Sequence, residues 1–193
     1  MDKPLHIFID TETTGLGHVA NPPRDDAIIE IGIAYRNINN SIIRKSWLCN
    51  PGEKYFKDGY ADEALSVSHI SKEDILAARS PYEVRKDIKD YTIRIDKHTA
   101  TFLFGKVTAP IFHAYNIPFD SVFLEKDPWS FHLTWGIDIM DLSRDYFGLP
   151  SSYRIRLSTS MNKLGIALDG EPHRASTDAV SAMLVYEAIM EAI

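Results

Sequence analysis

The chain has 193 residues, 45% hydrophobic and 25% charged, which suits one soluble domain able to bury a core without disulfides; its single cysteine, Cys49, excludes an internal one. The opening MDKPLHIFID has too short an apolar run for a signal peptide, and no stretch approaches the roughly 18 apolar residues of a membrane helix, so a cytoplasmic chain without a membrane partner is expected. The net charge of −6 argues against a broad polyanion coat, but not against a site that gathers carboxylates around divalent ions, because bound ions reverse the local sign.

Leu5–Asp10, with Ile7, Phe8 and Ile9 apolar in succession, predicts a central strand covered on both faces. Ala27–Tyr35 (AIIEIGIAY) and Ser41–Leu48 predict two more, with a hairpin turn at Asn37–Asn40, so the first three strands form an antiparallel meander. Ser71 with Asp74 predicts one helix start. Ser80-Pro81-Tyr82-Glu83 predicts another, with a cap, a first-turn proline and a capping-box glutamate in order. Residues 95–109 are irregular and are expected to form a loop before a strand at Pro110–His113. Phe119–Lys126 predicts a short helix, Trp135–Ile139 a strand and Asp141–Phe147 a helix stopped by Gly148; Leu157, Met161 and Leu164 predict a helix stopped by Gly165. The last helix is expected over 176–193, its apolar stripe being Ala179, Ala182, Met183, Tyr186, Ile189 and Met190. Trp129, Phe131 and Trp135 are expected in the core or as a lid over it. His6, His18, His98 and His132 belong to no constellation and are expected at the surface or in local hydrogen bonds. Strands first, then helices mixed with strands, describe a single mixed α/β domain over 1–193.

Asp10-Thr11-Glu12 closes the first strand. Side chains two apart on a strand share a face, so both carboxylates can address one oxygen-seeking ion such as Mg²⁺ or Mn²⁺. Thr13-Thr14-Gly15 then offers small side chains and backbone N–H groups for close approach of a nucleotide. His113-Ala114-Tyr115-Asn116 leads through Phe119 to Asp120 at a helix start. His173 stands five residues before Asp178, in the first turn of the last helix, where Ser176 is available as a cap. Taken singly, each acid is as readily a turn or helix-end charge, favoured by the helix dipole, as a metal ligand.

Their order and context together resemble the DnaQ-like, DEDDh-type 3′–5′ exonuclease family, from Ile7 to the last helix. Phe8-Ile9-Asp10-Thr11-Glu12-Thr13-Thr14-Gly15-Leu16 matches the first motif, His113–Asn116 leading to Phe119-Asp120 the second, and His173-Arg174-Ala175 with Asp178-Ala179 the third. Ala64–Ile70 (ALSVSHI) resembles a family segment that often reads Val-His-Gly-Ile or Asn-Gly-Ile, with Ser68-His69 in place of the polar-Gly pair. Asp138–Arg144 resembles a stretch that supports the site. The resemblance implies a ribonuclease H-like α/β fold, a central mixed five-stranded sheet flanked by helices, and stepwise hydrolysis from the 3′ end of single-stranded DNA or RNA. It assigns Asp10, Glu12, Asp120 and Asp178 to two divalent ions, Mg²⁺ or Mn²⁺, and His173 to the general base.

Phosphodiester hydrolysis needs an in-line activated water and stabilised charge on the attacking and leaving oxygens, which two metals about 3.5–4 Å apart supply. A histidine, with a free pKa of about 6.5, can take a proton from water at neutral pH. Gly170 and Pro172 predict a flexible segment around His173 before metal and substrate bind. By resemblance, Thr13 and Leu16 lie by the terminal nucleotide. Tyr115 and Phe119, with Asn116 beside them, are candidates to pack on a base or sugar, and Val67 and Ile70 to line a base pocket; core packing is the alternative for these hydrophobic residues. The expected partner is a single-stranded nucleic acid 3′ end, and the protein is a monomer or homodimer. The alternative is a nuclease-like nucleic-acid-binding or proofreading accessory subunit of a polymerase. All five key residues are present and the sequence stops at its last helix, which favours a stand-alone enzyme. A third reading, an unrelated hydrolase, would make the acids structural.

Overall fold

A computed structural model describes residues 4–17, 24–103 and 109–193, with 93–103 described as backbone only. His18, residues 104–108 and the His98 side chain lie outside the described residues. Five strands form one sheet in the order β3-β2-β1-β4-β5: β1 His6–Thr13, β2 Ile28–Arg36, β3 Ile42–Leu48, β4 Ile111–Ala114 and β5 Trp135–Asp138. β1, β2 and β3 pair antiparallel, as the meander predicts; β4 pairs parallel to β1 and β5 parallel to β4, so the sheet is mixed.

The successive apolar residues of β1 are explained by cover on both faces. Ile7 and Ile9 join Ile31 and Ile33 of β2 against Val84 and Ile88 of α3 (Pro81–Leu103) and Phe123 and Leu124 of α4 (Ile117–Glu125). Phe8 and Ala34 face α7 (Ala175–Ala192), with Ile139 of α5 (Ile139–Tyr146) and Met161 of α6 (Leu157–Leu164) completing that cluster. A third cluster, Ile29, Phe56, Ala61, Ile70 and Ile75, lies under a 3₁₀ segment at Glu53–Gly59, α1 (Asp62–Ser68) and α2 (Lys72–Ala77). Ser71 caps α2 by accepting from Asp74 N at 3.0 Å, as expected. Trp129 and Phe131 are core and Trp135 packs against the same cluster.

Three expectations change. The loop expected from residue 95 is helix as far as Leu103. Glu83 closes the capping box on Ser80 N at 3.0 Å. The chain then meets no Gly or Pro until Gly105, so a nucleated helix runs on through weak formers such as Thr99 and Thr101. In α7, Met190 is 41% exposed while Val180 and Val185 are buried, because α5 and α6 cover flanks that a single-stripe helix would leave to solvent. His6 is neither at the surface nor locally bonded. Its Nδ1 lies 2.8 Å from His113 Nε2 across β1 and β4. Ile137 N donates to His113 Nδ1 at 3.0 Å, so His113 carries its proton on Nε2 and donates it to His6.

Gly32, opposite Asp10 in the β1–β2 ladder, sets how closely α7 sits on the sheet. A Cβ there would lie 2.1 Å from Ala175 C and 2.2 Å from Ser176 N, both backbone. Gly32→Ala must push the first turn of α7 off β2, which costs about 2 kcal/mol or more. The expected fall in Tm is roughly 4–8 °C by calorimetry, with a larger relative loss of activity because Asp178 moves with that turn. An unchanged Tm would show that α7 does not depend on this contact.

Candidate active site

β4 pairs with β1 only at His6, Ile7 and Phe8. From Asp10 onward no strand pairs with that edge among the described residues, and the start of α4 takes the place. Asp120, 3% exposed, accepts from Thr11 Oγ1 at 2.8 Å and from the Thr11 backbone N–H. Asp10 and Glu12 lie inside β1 rather than at its end, because the ladder to β2 continues to Thr13. Both carboxylates meet Asp178 of α7: one ligand atom from each of the three lies within 4.8 Å of the others. Asp120 is outside that triad, yet its charge acts on Asp10 and Glu12. His173 is exposed on a left-handed turn (φ 57°) and its backbone bonds the Asp178 carboxylate.

Burial holds these carboxyls above their ordinary range, and mutual repulsion adds to it. Asp10 is raised well above it by burial, then by Asp120, Glu12, Asp178 and Glu30. Glu12 is pushed up to about 8 by burial, then by Asp178, Glu30 and Asp120, with Arg174 opposing. Asp120 rises to about 7 through burial, its bonds to Thr11 pulling back. Asp178 rises to about 6, again through burial, with His173 opposing. A close acid cluster of this kind, with its nearest arginine already engaged elsewhere, fits divalent cations, which supply the missing positive charge.

That arginine is engaged by a residue that sequence reasoning missed. Glu30, fully buried, accepts from Arg174 Nε at 3.1 Å, from Arg174 Nη2 at 3.0 Å and from Ala175 N at 3.1 Å. Glu30 therefore holds the N-terminus of α7. Ser176, expected as the cap, lies inside the helix, and the cap residue Arg174 makes no side-chain cap bond. An acid in the middle of an apolar strand was the available signal, since a buried charge needs partners. Asp26 was missed too. Fully buried, it accepts from Thr14 Oγ1 at 3.0 Å and Gly17 N at 2.9 Å, and a Cβ on Gly15 would meet its carboxylate at 2.7 Å. It thereby shapes the turn after β1. The segment bearing His173 is short and held on both sides: Arg44 Nη1 donates to Asp169 O at 2.8 Å before it, and Arg174 grips Glu30 after it.

Two of the acids, Glu12 and Asp178, line a groove with two arms, of about 480 and about 1110 Å³, which share Leu16, Val67 and Phe119. Glu12 lines the smaller arm; Asp178 and His173 line the larger. Leu16 and Val67 are 59% and 46% exposed and stand in the groove without filling a core. Thr13 lines the smaller arm, its hydroxyl donating to Gly15 O at 2.6 Å. Phe119 faces both arms while its ring packs on Phe123. Tyr115 and Asn116 line the larger arm, and the Tyr115 hydroxyl is held by Ile155 O at 3.0 Å and Ser160 Oγ at 2.8 Å. Ile70 does not line the groove: it is 5% exposed in the cluster with Ile29 and Ile75, so the packing alternative holds for it. His69 is exposed and ends α1 at φ 55°, the left-handed position that glycine usually fills. Asp138 accepts from Ile117 N at 2.8 Å and Asp141 N at 2.9 Å, joining the starts of α4 and α5 in a supporting role.

A carboxylate cluster at the C-terminal side of a mixed sheet, facing a long groove, defines a hydrolase domain of the metal-using kind. The chain belongs to the RNase_T exonuclease family, whose pattern matches residues 7–186. No curated protein matches it by sequence. Among solved structures it is similar to a full-length 3′-exonuclease, with TM-score 0.72 and 18% identity over 99% of this chain and 62% of that one. It is also similar to the nuclease domain of 3′hExo, a DEDDh family member bound to rAMP, with TM-score 0.73 and 18% identity over 97% and 92%. E. coli Exonuclease I in complex with a 5cy-dT13 oligonucleotide matches with TM-score 0.69 and 15% identity over 98% and 41%. The chain thus spans about three fifths of the first of these, and the three likenesses establish the ribonuclease H-like fold. Among the described residues no helix is long and apolar enough to cross a membrane.

Proposed function

We propose that the chain acts as one domain over 1–193 and removes nucleotides stepwise from the 3′ end of single-stranded DNA or RNA. The observation that carries this is the Asp10–Glu12–Asp178 triad, backed by Asp120, with Glu12 lining one groove arm and Asp178 the other. The 3′ direction draws support from the family and from the fold shared with a 3′-exonuclease. Relatives bound to rAMP and to a DNA oligonucleotide leave both polymers open.

In this reading Asp10, Glu12 and Asp178 hold one divalent ion, and Asp10 with Asp120 a second; Mg²⁺ or Mn²⁺ suits an all-carboxylate set. Such ions supply charge to the attacking and leaving oxygens of an in-line displacement. His173 accepts the proton of the attacking water, from an exposed turn beside Asp178. Thr13 and Leu16 seat the terminal nucleotide, Val67 and Phe119 present apolar faces that any base can meet, and Tyr115 and Asn116 line the way in.

The test uses single strands of DNA and RNA labelled at either end, with Mg²⁺, Mn²⁺ or EDTA. The 3′ label is expected to leave first as a mononucleotide, the 5′ label to give a descending ladder, and EDTA to stop both. Trimming from the 5′ end or without metal would overturn the proposal. Binding without trimming would favour the accessory-subunit reading.

A further inference from the structure

We propose that Arg154 and Arg156 form a phosphate track that holds the strand upstream of the nucleotide being removed. The inference rests on the exonuclease reading and gives that groove a polarity.

Both arginines are exposed, and both line the larger arm that also carries His173 and Asp178. The residue between them is anchored. Ile155 is 2% exposed, and its carbonyl accepts from the Tyr115 hydroxyl at 3.0 Å. Arg156 is extended (φ −78°, ψ 149°), and in extended chain neighbouring side chains point to opposite sides. Arg154 and Arg156 both line the groove on either side of the buried Ile155, which borders it too.

Their charge is also uncommitted. Arg24, Arg36, Arg44, Arg79, Arg144 and Arg174 each pair with a carboxylate. Among the described residues the side chains of Arg154 and Arg156 have no ion pair and no hydrogen-bond partner. In a chain of net charge −6, two neighbouring arginines left facing a groove repel each other until an anion lies between or along them. The smaller arm offers no equivalent: its Arg24 is held by Asp26 at 3.5 Å and by the Tyr60 carbonyl at 2.5 Å, and Glu63 shares the lining. A polyanion therefore runs along the larger arm, past Asp178, and ends in the smaller one, beside Glu12. Contacts to phosphate carry no base preference, which suits trimming of any sequence.

The experiment compares wild type with Arg154→Ala/Arg156→Ala and Arg154→Lys/Arg156→Lys. Arg156 gives α6 no side-chain cap bond, so the substitutions leave the fold intact, which melting curves verify. Binding of a fluorescein-labelled ten-nucleotide thymidine strand is read by anisotropy over a KCl series, and trimming kinetics on the same strand give KM and kcat. The alanine variant is expected to raise KM about tenfold and to flatten the slope of log affinity against log salt by about 1.4, two single-strand phosphate contacts at about 0.7 each. The lysine variant keeps most of the slope because it keeps the charges. Hydrolysis of thymidine 5′-(p-nitrophenyl phosphate), which has no upstream phosphate, stays at the wild-type rate. An unchanged slope and KM in the alanine variant, or an equal loss on the small ester, overturns the phosphate track while leaving the exonuclease reading standing. A wild type that leaves the strand intact in Mg²⁺ and Mn²⁺ sinks the exonuclease reading itself, and the track with it.

Discussion

His173→Ala is expected to slow single-turnover trimming roughly 100- to 10,000-fold, the usual share of a positioned acid or base, while Mn²⁺ binding by calorimetry stays near wild type. The separation follows from which atoms of residue 173 do what. The bond that steadies Asp178 comes from its backbone, which alanine retains. The ring is exposed beside the acids and is not a member of the close triad, so its removal takes a proton acceptor and leaves the ligand set. The turn itself is expected to survive, because Arg174 still grips Glu30 and Asp169 still meets Arg44. Residue 173 sits at φ 57°, a conformation that Asn tolerates better than Ala, so His173→Asn separates loss of the base from backbone strain. A rate within threefold of wild type in both variants removes His173 from the chemistry. Loss of Mn²⁺ binding in both would instead make it a ligand or a prop for one.

The contrast between Val67 and Ile70 shows how far the sequence carries. Both belong to one short apolar segment three residues apart, a spacing that on a continuous helix would put them on one side. The helix ends between them, at His69 in a left-handed turn, so Val67 stays in the groove and Ile70 turns into the core. Local pattern fails where the chain reverses. The acids were legible because their order along the chain matches a motif, and β1 was legible because its apolar run is local. Glu30 and Gly32 were not, although both stand in a strand read correctly: what they do depends on the N-terminus of α7, more than 140 residues further on. The helical stretch before Leu103 escaped because its β-branched residues carry weak propensity, and a tertiary fold decides such cases. Arg154 and Arg156 acquire meaning only once Ile155 between them is known to be buried.

Asp10→Asn is expected to lower trimming about 1,000-fold or more, since an ion acting as Lewis acid is worth several kcal/mol and each 1.36 kcal/mol is tenfold. The same change is expected to make the metal-free protein more stable. Asp10 faces Asp120, Glu12, Asp178 and Glu30 and is held well above its ordinary range, so a neutral amide of the same shape removes repulsion. The pH dependence gives the sign. A carboxyl raised in the fold, such as Glu12 from 4.5 to about 8, contributes stability that is fully present below about 4.5 and is lost as pH rises towards 8. Buried His113 works the other way: lowered from 6.5 to about 4 by burial and by His6, it contributes stability that is present above 6.5 and is lost as pH falls towards 4. His6, also lowered, acts in the same sense. The two effects overlap below 6.5, so the interval from 6.5 to 8 isolates the acids. Across it, the Tm of wild type in EDTA is expected to fall, and that of Asp10→Asn to fall less, because the variant lacks the raised Asp10 carboxyl, whose charging is part of the fall. Mn²⁺ reverses the trend in wild type. It binds the deprotonated carboxylates, so the stabilisation it adds grows with pH and with concentration, whereas the variant gains little. A wild-type Tm that is flat from pH 6.5 to 8 in EDTA and indifferent to Mn²⁺ at pH 8 would mean that the four acids are structural, and that the groove they face does not cut phosphodiesters.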